Sequence, residues 1–480
     1  MKKSLIAIAV LGAAAFSAQA ANVTLYGTVD GGFMYKNAKV TVAGEQVGKK
    51  ESSFKFADGV DGANKIGIKG EEDIGNAKVG FKLENQFYLS NGEFKNSDKL
   101  FSREARLYVR NEFGELAAGR FGGLASAAGT YGIFFSNADA FDGGDNNINT
   151  GFVQSDRYDH SIAYQSPEIA GFQGTLMYSF QEDGEQQNKM KDNDRYIGAG
   201  LTFKQDALAV VGVFEGQIRN KADKDNDIKN GFTYNLGANY DFGMAKVFGG
   251  FQYAHNANFD EIQHYFDAAK IAKNFSKEAG VKLANAHLAA LNTQYTKADD
   301  KDSVVSAGAL YDAKLQYLAT EGKAKDTVVN AIKGTVDGTE TNEYADLDGA
   351  ISAIAAGGAG ILNNTQFNGY AFTLGSQIPF GANKVTVAGY YGDYKNARAG
   401  ANVKYKATVE QQQKDAVAAL FDKKDIKLQV YGIAARYEYS LSKRTTLAAG
   451  AGIGQSKLKF AGENAKSKVA QVYAGLHHNF

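Results

Sequence analysis

The sequence predicts an all-β chain: a 16-stranded antiparallel transmembrane β-barrel with a large helical extracellular insertion. Three observations carry this expectation. Segments that alternate apolar and polar residues recur along the chain, joined by connections that are tight and long by turns. The first residues read as an export signal. Beyond them no apolar run reaches the roughly 20 residues of a membrane-spanning helix, so only a closed sheet can satisfy its backbone in lipid.

Residues 1–20 are the expected signal: Lys2 and Lys3, an apolar stretch Leu5 to Phe16, and the small-x-small site Ala18-Gln19-Ala20. The barrel then occupies 21–480. Without Lys2 and Lys3 the chain carries 51 basic against 53 acidic side chains. That balance leaves no electrostatic footprint for nucleic acid. Cysteine is absent, which excludes disulfides, thiolate metal sites and a cysteine nucleophile. Only two prolines interrupt the chain, as long paired strands require. Tryptophan is absent, so any aromatic girdle must be built from the 26 Tyr and 31 Phe.

The expected strands follow in order. Val23–Tyr35 is first. Asn64–Glu72 and Ala77–Leu89 flank the turn Asp73–Asn76, and Phe101–Asn111 and Glu115–Phe121 flank Glu112–Gly114. Arg157–Ser166 and Phe172–Phe180 meet at Pro167–Gly171, Arg195–Phe203 and Leu208–Gln217 at Lys204–Ala207. Gly231–Tyr240 and Lys246–His255 turn at Asp241–Ala245, Gln366–Ile378 and Lys384–Tyr394 at Pro379–Asn383. Lys427–Ser440 and Thr445–Ser456 turn at Leu441–Arg444, and Lys468–Phe480 is last. In that final segment Ala470, Val472, Ala474, Leu476 and His478 share a mostly apolar face. Gln471, Tyr473, Gly475, His477 and Asn479 share the wet one. Sixteen strands suffice to enclose water.

Two loops do not read as simple connections. Residues 256–365 are Ala-rich and charged, with helical spacing in Phe259–Phe275, Val281–Leu291 and Val304–Leu318; Tyr405–Lys424 carries a helical Val409–Phe421. They read either as decoration of the extracellular mouth or as a binding or lid element.

Strand parity places Lys65, Gly67, Lys69 and Glu71 on one face of the second strand. Arg106, Tyr108 and Arg110 lie inside the fourth, opposite Ala105, Leu107 and Val109. Arg120 ends the fifth. Arg157 opens the sixth with Asp159 and Ser161, opposite Tyr158 and Ile162. The loop Gly122–Asp156 carries Asp139, Asp142 and Asp145 around Phe141 and Gly143-Gly144.

The run Asn64-Lys65-Ile66-Gly67-Ile68-Lys69-Gly70-Glu71-Glu72-Asp73-Ile74-Gly75 resembles the second strand of the trimeric general porins of Gram-negative outer membranes. Val23–Gly27 is similar to that family's first strand, Tyr164–Phe172 to its sixth-strand hairpin and Gly475–Phe480 to its terminal strand. The likeness fails across 256–365, which is far longer than the family's loop. It implies passive diffusion of small hydrophilic solutes and ions across an outer membrane, with no cofactor, no metal and no catalytic step. It implies a homotrimer surrounded by outer-membrane lipid and lipopolysaccharide, and Phe480 as an assembly signal. Basic residues matching Lys65, Arg120 and Arg157 would form a wall at the constriction, joined through parity by Arg106 and Arg110. The resemblance also implies an inward-folded third loop, from which Asp139, Asp142 and Asp145 would oppose them; that loop departs from the family's Pro-Glu-Phe-Gly-Gly form. The clear cations give a weak anion lean. Two other classes stay open: a substrate-specific or gated channel, and a surface adhesin, each using the 256–365 insertion.

Other signals carry less. Gly450, Gly452 and Gly454 lack dinucleotide-fingerprint spacing and read as one lipid or subunit-contact face. His477 and His478 point to opposite faces and cannot share a metal; His255 and His264 straddle a loop boundary. No Ser/His/Asp set stands at recognisable spacing.

Overall fold

A computed structural model describes residues 22–42, 45–46, 51–127, 129–148, 150–181, 189–220, 228–258, 365–398, 426–460 and 463–480. The expected export signal, the insertion from residue 259 to 364 and the helical reading of Tyr405–Lys424 lie outside these residues. Among the described residues no helix is long and apolar enough to cross a membrane.

Sixteen strands form one closed sheet: β1 (Asn22–Val42), β2 (Lys65–Asp73), β3 (Lys78–Gln86), β4 (Glu104–Asn111), β5 (Gly114–Gly122), β6 (Arg157–Gln165), β7 (Phe172–Ser179), β8 (Arg195–Gln205), β9 (Leu208–Ile218), β10 (Gly231–Asp241), β11 (Lys246–Asn258), β12 (Gln366–Phe380), β13 (Asn383–Arg398), β14 (Lys427–Ser440), β15 (Thr445–Phe460) and β16 (Glu463–Asn479). Each pairs antiparallel with the next, and β16 returns to β1 from Thr28↔Asn479 to Val42↔Ala465. No edge is left to be satisfied by lipid. Two further stretches, Glu45–Gln46 and Glu51–Asp58, pair only with the far half of β1. They make β1 21 residues long instead of stopping near Tyr35. Similarly, β11 reaches Asn258 and β16 begins at Glu463. The alternation signal fades where both faces of a strand are wet, whereas backbone pairing continues without it.

Alternation decides which side meets lipid. Leu107, Leu201, Leu236, Leu374, Ile433 and Ile453 are each more than half exposed on the outer face. Such a surface is unfavourable in water and matches hydrocarbon. Tyr234, Tyr253 and Tyr370 are cross-strand neighbours on that face. Phe113, Phe172, Phe242 and Phe380 are exposed near the tight turns. Tyr and Phe thus supply the outer aromatic rows. On β16 the parity is as expected: Val472 and Leu476 are exposed, whereas Gln471 and Tyr473 are buried inside.

Two parity expectations are corrected. Tyr158 is not opposite Arg157 and Asp159; it is buried and stacks on Tyr196 at 4.1 Å. The β5–β6 register shifts between Gly119 and Phe121, and His160 has φ +48°, so a bulge turns Tyr158 inward. Gly452 and Gly454 face the interior and not lipid. A Cβ on Gly452 would lie 2.5 Å from Ile148 of the third loop.

The seam is closed by Phe480, whose N–H donates to Gly27 O at 3.1 Å and whose carbonyl accepts Gly27 N–H at 3.2 Å. Its ring lies where a Cβ on Gly27 would be. Phe480→Ser keeps the backbone pair and removes the ring. Assembled protein, read as the heat-modifiable band on a gel, is expected to fall several-fold; undiminished yield would show the ring to be dispensable.

Candidate functional site: the inward loop and the charged lumen

The segment Gly123–Asp156 leaves β5 and returns at β6, and between them it lies against the inner wall. Phe134, Phe135 and Phe152 form its own small core, with ring centroids 5.0 to 5.8 Å apart. All three are fully buried. One helical turn, α1 (Phe135–Ala138), is its only regular helix among the described residues. The wall beneath it is bare: a Cβ on Gly237 would sit 2.4 Å from the Ala138 Cβ, and one on Gly375 2.8 Å from the Ala140 Cβ. Glycine there allows the loop to approach the sheet closely.

Polar groups from successive strands hold the loop's backbone. Tyr196 on β8 accepts the Leu124 N–H at 3.0 Å and donates to Glu215 on β9, which accepts the Ala125 N–H at 2.8 Å. Asn239 donates to Asn137 O at 2.8 Å. Gln252 accepts the Val153 N–H at 2.7 Å and donates to Val153 O at 2.9 Å. Gln377 donates to Ala140 O and Tyr394 to Gly151 O, both at 2.7 Å. These bonds satisfy loop carbonyls and amides that would otherwise be buried unpaired.

The three loop carboxylates have different surroundings. Asp139 is buried and accepts from Gly143 N at 2.8 Å, Gly144 N at 2.9 Å, Thr373 Oγ1 at 3.2 Å and Tyr390 Oη at 3.4 Å. Gly143 and Gly144 have φ of +104° and +107°, which other residues rarely adopt. Burial pushes the Asp139 carboxyl up, against the pull of those donors. Asp145 is buried too, accepts from Tyr473 Oη at 2.7 Å and lies 3.8 Å from Arg436. Asp142 alone is exposed. Enclosure within the barrel, with the Asp139 carboxylate close by, pushes its carboxyl up to about 6.

The cations gather on the β2–β6 side. Arg120 pairs with Asp159 at 2.5 Å and donates to Ser102 O at 2.9 Å and Arg157 O at 3.3 Å. Arg157 has Asp156 at 3.9 Å, and its Nε is buried without a hydrogen-bond acceptor. Lys65 heads β2 beside Glu84 and Arg103. Residues of the second long loop join them. Arg103 pairs with Glu84 at 2.6 Å, and Lys99 with Asp159 at 2.6 Å. Partial enclosure and the Arg157 and Arg103 guanidinium groups pull the Lys95 ammonium below its usual range. Lys95 and Lys99 carry no strand alternation; Arg103 falls within the expected strand Phe101–Asn111, where parity puts it on the lipid row with Ala105, but the strand begins only at Glu104.

Two of the expected wall residues are placed elsewhere. Arg106 is buried behind the loop, 2.8 Å from Glu104, bonded to Glu115 and to Tyr131 Oη at 2.9 Å. Arg110 is exposed next to the β4–β5 turn and pairs with Glu71. Thus Lys65, Arg120 and Arg157 share one region with Arg103, while Asp139 and Asp145 are turned to the wall.

An antiparallel barrel that is apolar outside, charged inside and narrowed by its own loop defines a class: outer-membrane channels. A family model described as Gram-negative porin matches residues 7–459, and the chain belongs to that family. An outer membrane porin protein of Bordetella pertussis is 32% identical over 268 residues, 52% of this chain and 68% of the relative. Outer membrane porin protein 32 of Delftia acidovorans is 29% identical over 264 residues, with the same shares of 52% and 68%. Among solved structures, an anion-selective porin from Comamonas acidovorans is 18% identical, covers 96% of this chain and 100% of its own, and has a TM-score of 0.49. The protein is a passive channel of the Gram-negative outer membrane.

Asp139→Ala leaves the half-buried Gly143 and Gly144 N–H groups without their acceptor, each at a cost below the roughly 1–3 kcal/mol of a fully buried orphan. The expected outcome is a lower thermal midpoint in detergent and faster proteolytic cleavage between residues 123 and 156. Wild-type values for both would show that Asp139 does not hold the loop.

Proposed function

We propose that this porin passes small hydrophilic solutes with a preference for anions, and that Lys65, Arg120 and Arg157, with Arg103, form the basic side of its constriction. One observation carries this reading: Asp139 is engaged by Thr373 and Tyr390 of the barrel wall and Asp145 by Tyr473, which leaves Asp142 as the exposed carboxylate of the three. A cationic surface facing little opposing charge raises the local anion concentration and disfavours cations. Arg106 acts in this reading by fixing the loop's root, and Arg110 by pairing near the turn. The homotrimer and the surrounding lipopolysaccharide belong to the same proposal. Cross-linking of the detergent-extracted protein would test the first, and co-purifying lipid phosphate the second.

Arg120→Glu combined with Arg157→Glu is expected to move the reversal potential in a KCl gradient toward cation preference; an unchanged potential would remove both from the constriction. Acidification tests Asp142 separately. Its carboxyl, raised to about 6, is mostly ionised at pH 7 and mostly protonated at pH 5. Anion preference should therefore strengthen as pH falls through this window. Asp142→Asn should abolish that part of the change.

A further inference from the structure

Between Asp58 and Lys65 the chain leaves the ladder of β1 and bends inward. The bend is held by Asp30 of β1. One carboxylate oxygen accepts the Val60 N–H at 2.7 Å; the other accepts Asp61 N–H at 3.0 Å, Gly62 N–H at 2.8 Å and lies 2.9 Å from His477 Nδ1. The Asp30 N–H donates in turn to Asn64 Oδ1 at 2.6 Å. Val60 is buried with Met34, Ala57, Ala448 and Tyr473. Of these, Ala448 and Tyr473 belong to the inward-facing rows of β15 and β16. Gly475 makes room for it: a Cβ there would lie 2.7 Å from Val60 Cγ2. The bend therefore sits inside the barrel.

It also meets the tip of the third loop. Asn146 donates to Val60 O at 3.1 Å. Arg436 of β14 pairs with Asp61 at 2.8 Å and stands 3.8 Å from Asp145. Both partners keep some access to solvent, Asp61 at 20% and Arg436 at 10%. We propose that residues 59–64 are a second constriction element, joined to the third loop through Arg436, and that Asp61 contributes a fixed negative charge to the ion path. The proposal rests on the diffusion-channel reading above. A carboxylate on a segment inserted into a narrow lumen changes the field that permeating ions cross.

The chain has no cysteine, so one introduced thiol can be modified alone. Asp61→Cys removes the carboxylate and is expected to raise anion preference in planar bilayers. A methanethiosulfonate carrying a sulfonate should then restore the wild-type direction, and one carrying trimethylammonium should push further toward anions. Both should lower single-channel conductance. Gly62→Cys is the companion variant: it keeps Asp61, has room for a side chain (a Cβ there has its nearest neighbour at 3.6 Å), and should give opposite shifts with the two reagents. If mass spectrometry confirms labelling but conductance and reversal potential stay put, the bend lies off the ion path and the proposal fails. Failure to label folded protein from water overturns it equally. Wild-type current, recorded alongside, tests the channel reading on its own.

Discussion

In hydrocarbon no water is available to pair with a backbone amide, and this constraint governs the molecule. Every strand must give its N–H and C=O groups to a neighbour, so the sheet must end where it began. The β1–β16 ladder does this by joining residues about as far apart in sequence as the chain allows, Thr28 with Asn479. Closure then dictates the division of labour. Odd and even positions are sorted between lipid and lumen, and outward-facing charges such as Lys466 and Lys468 stand toward the strand ends, beyond the apolar rows.

Inside, the same logic applies to the third loop. A buried loop needs partners for its backbone, and it finds them on side chains such as Gln252, Gln377 and Tyr394 that project from the wall. The hydrophobic contribution comes from the Phe134, Phe135 and Phe152 cluster. Electrostatics follows from the seating. Carboxylates that hold the loop face its anchor points, while Arg120 and Arg157 stand beside Asp159 and Asp156 on the β5–β6 side.

The barrel was legible because alternation at period two and tight turns are local signals, the first repeated in sixteen strands and the second at seven hairpins. Parity also put Arg106, Tyr108 and Arg110 on the inner side of β4 as found. What it could not supply was depth or partners. Arg106 and Arg110 share a face, yet one is buried against Glu104 and Glu115 and the other is exposed by a turn. The bulge that turned Tyr158 inward depends on backbone conformation at Gly119 and His160, which alternation does not encode. Arg103, Lys95 and Lys99 come from a loop whose path is set by tertiary contact. The bend at 59–64 was hidden for a related reason: its anchors, Asp30, Arg436 and His477, come from three separate strands, β1, β14 and β16.

The bare floor under the third loop has an implication for chimaeras. Ile148 occupies the hollow left by Gly432 and Gly452, and Ala138 that left by Gly237 and Gly250. Transplanting a homologous eyelet segment by itself would set foreign side chains over hollows cut for these. A working graft would have to carry the matching glycines of the stave surface with it, so the two regions constitute one heritable module despite lying up to three hundred residues apart.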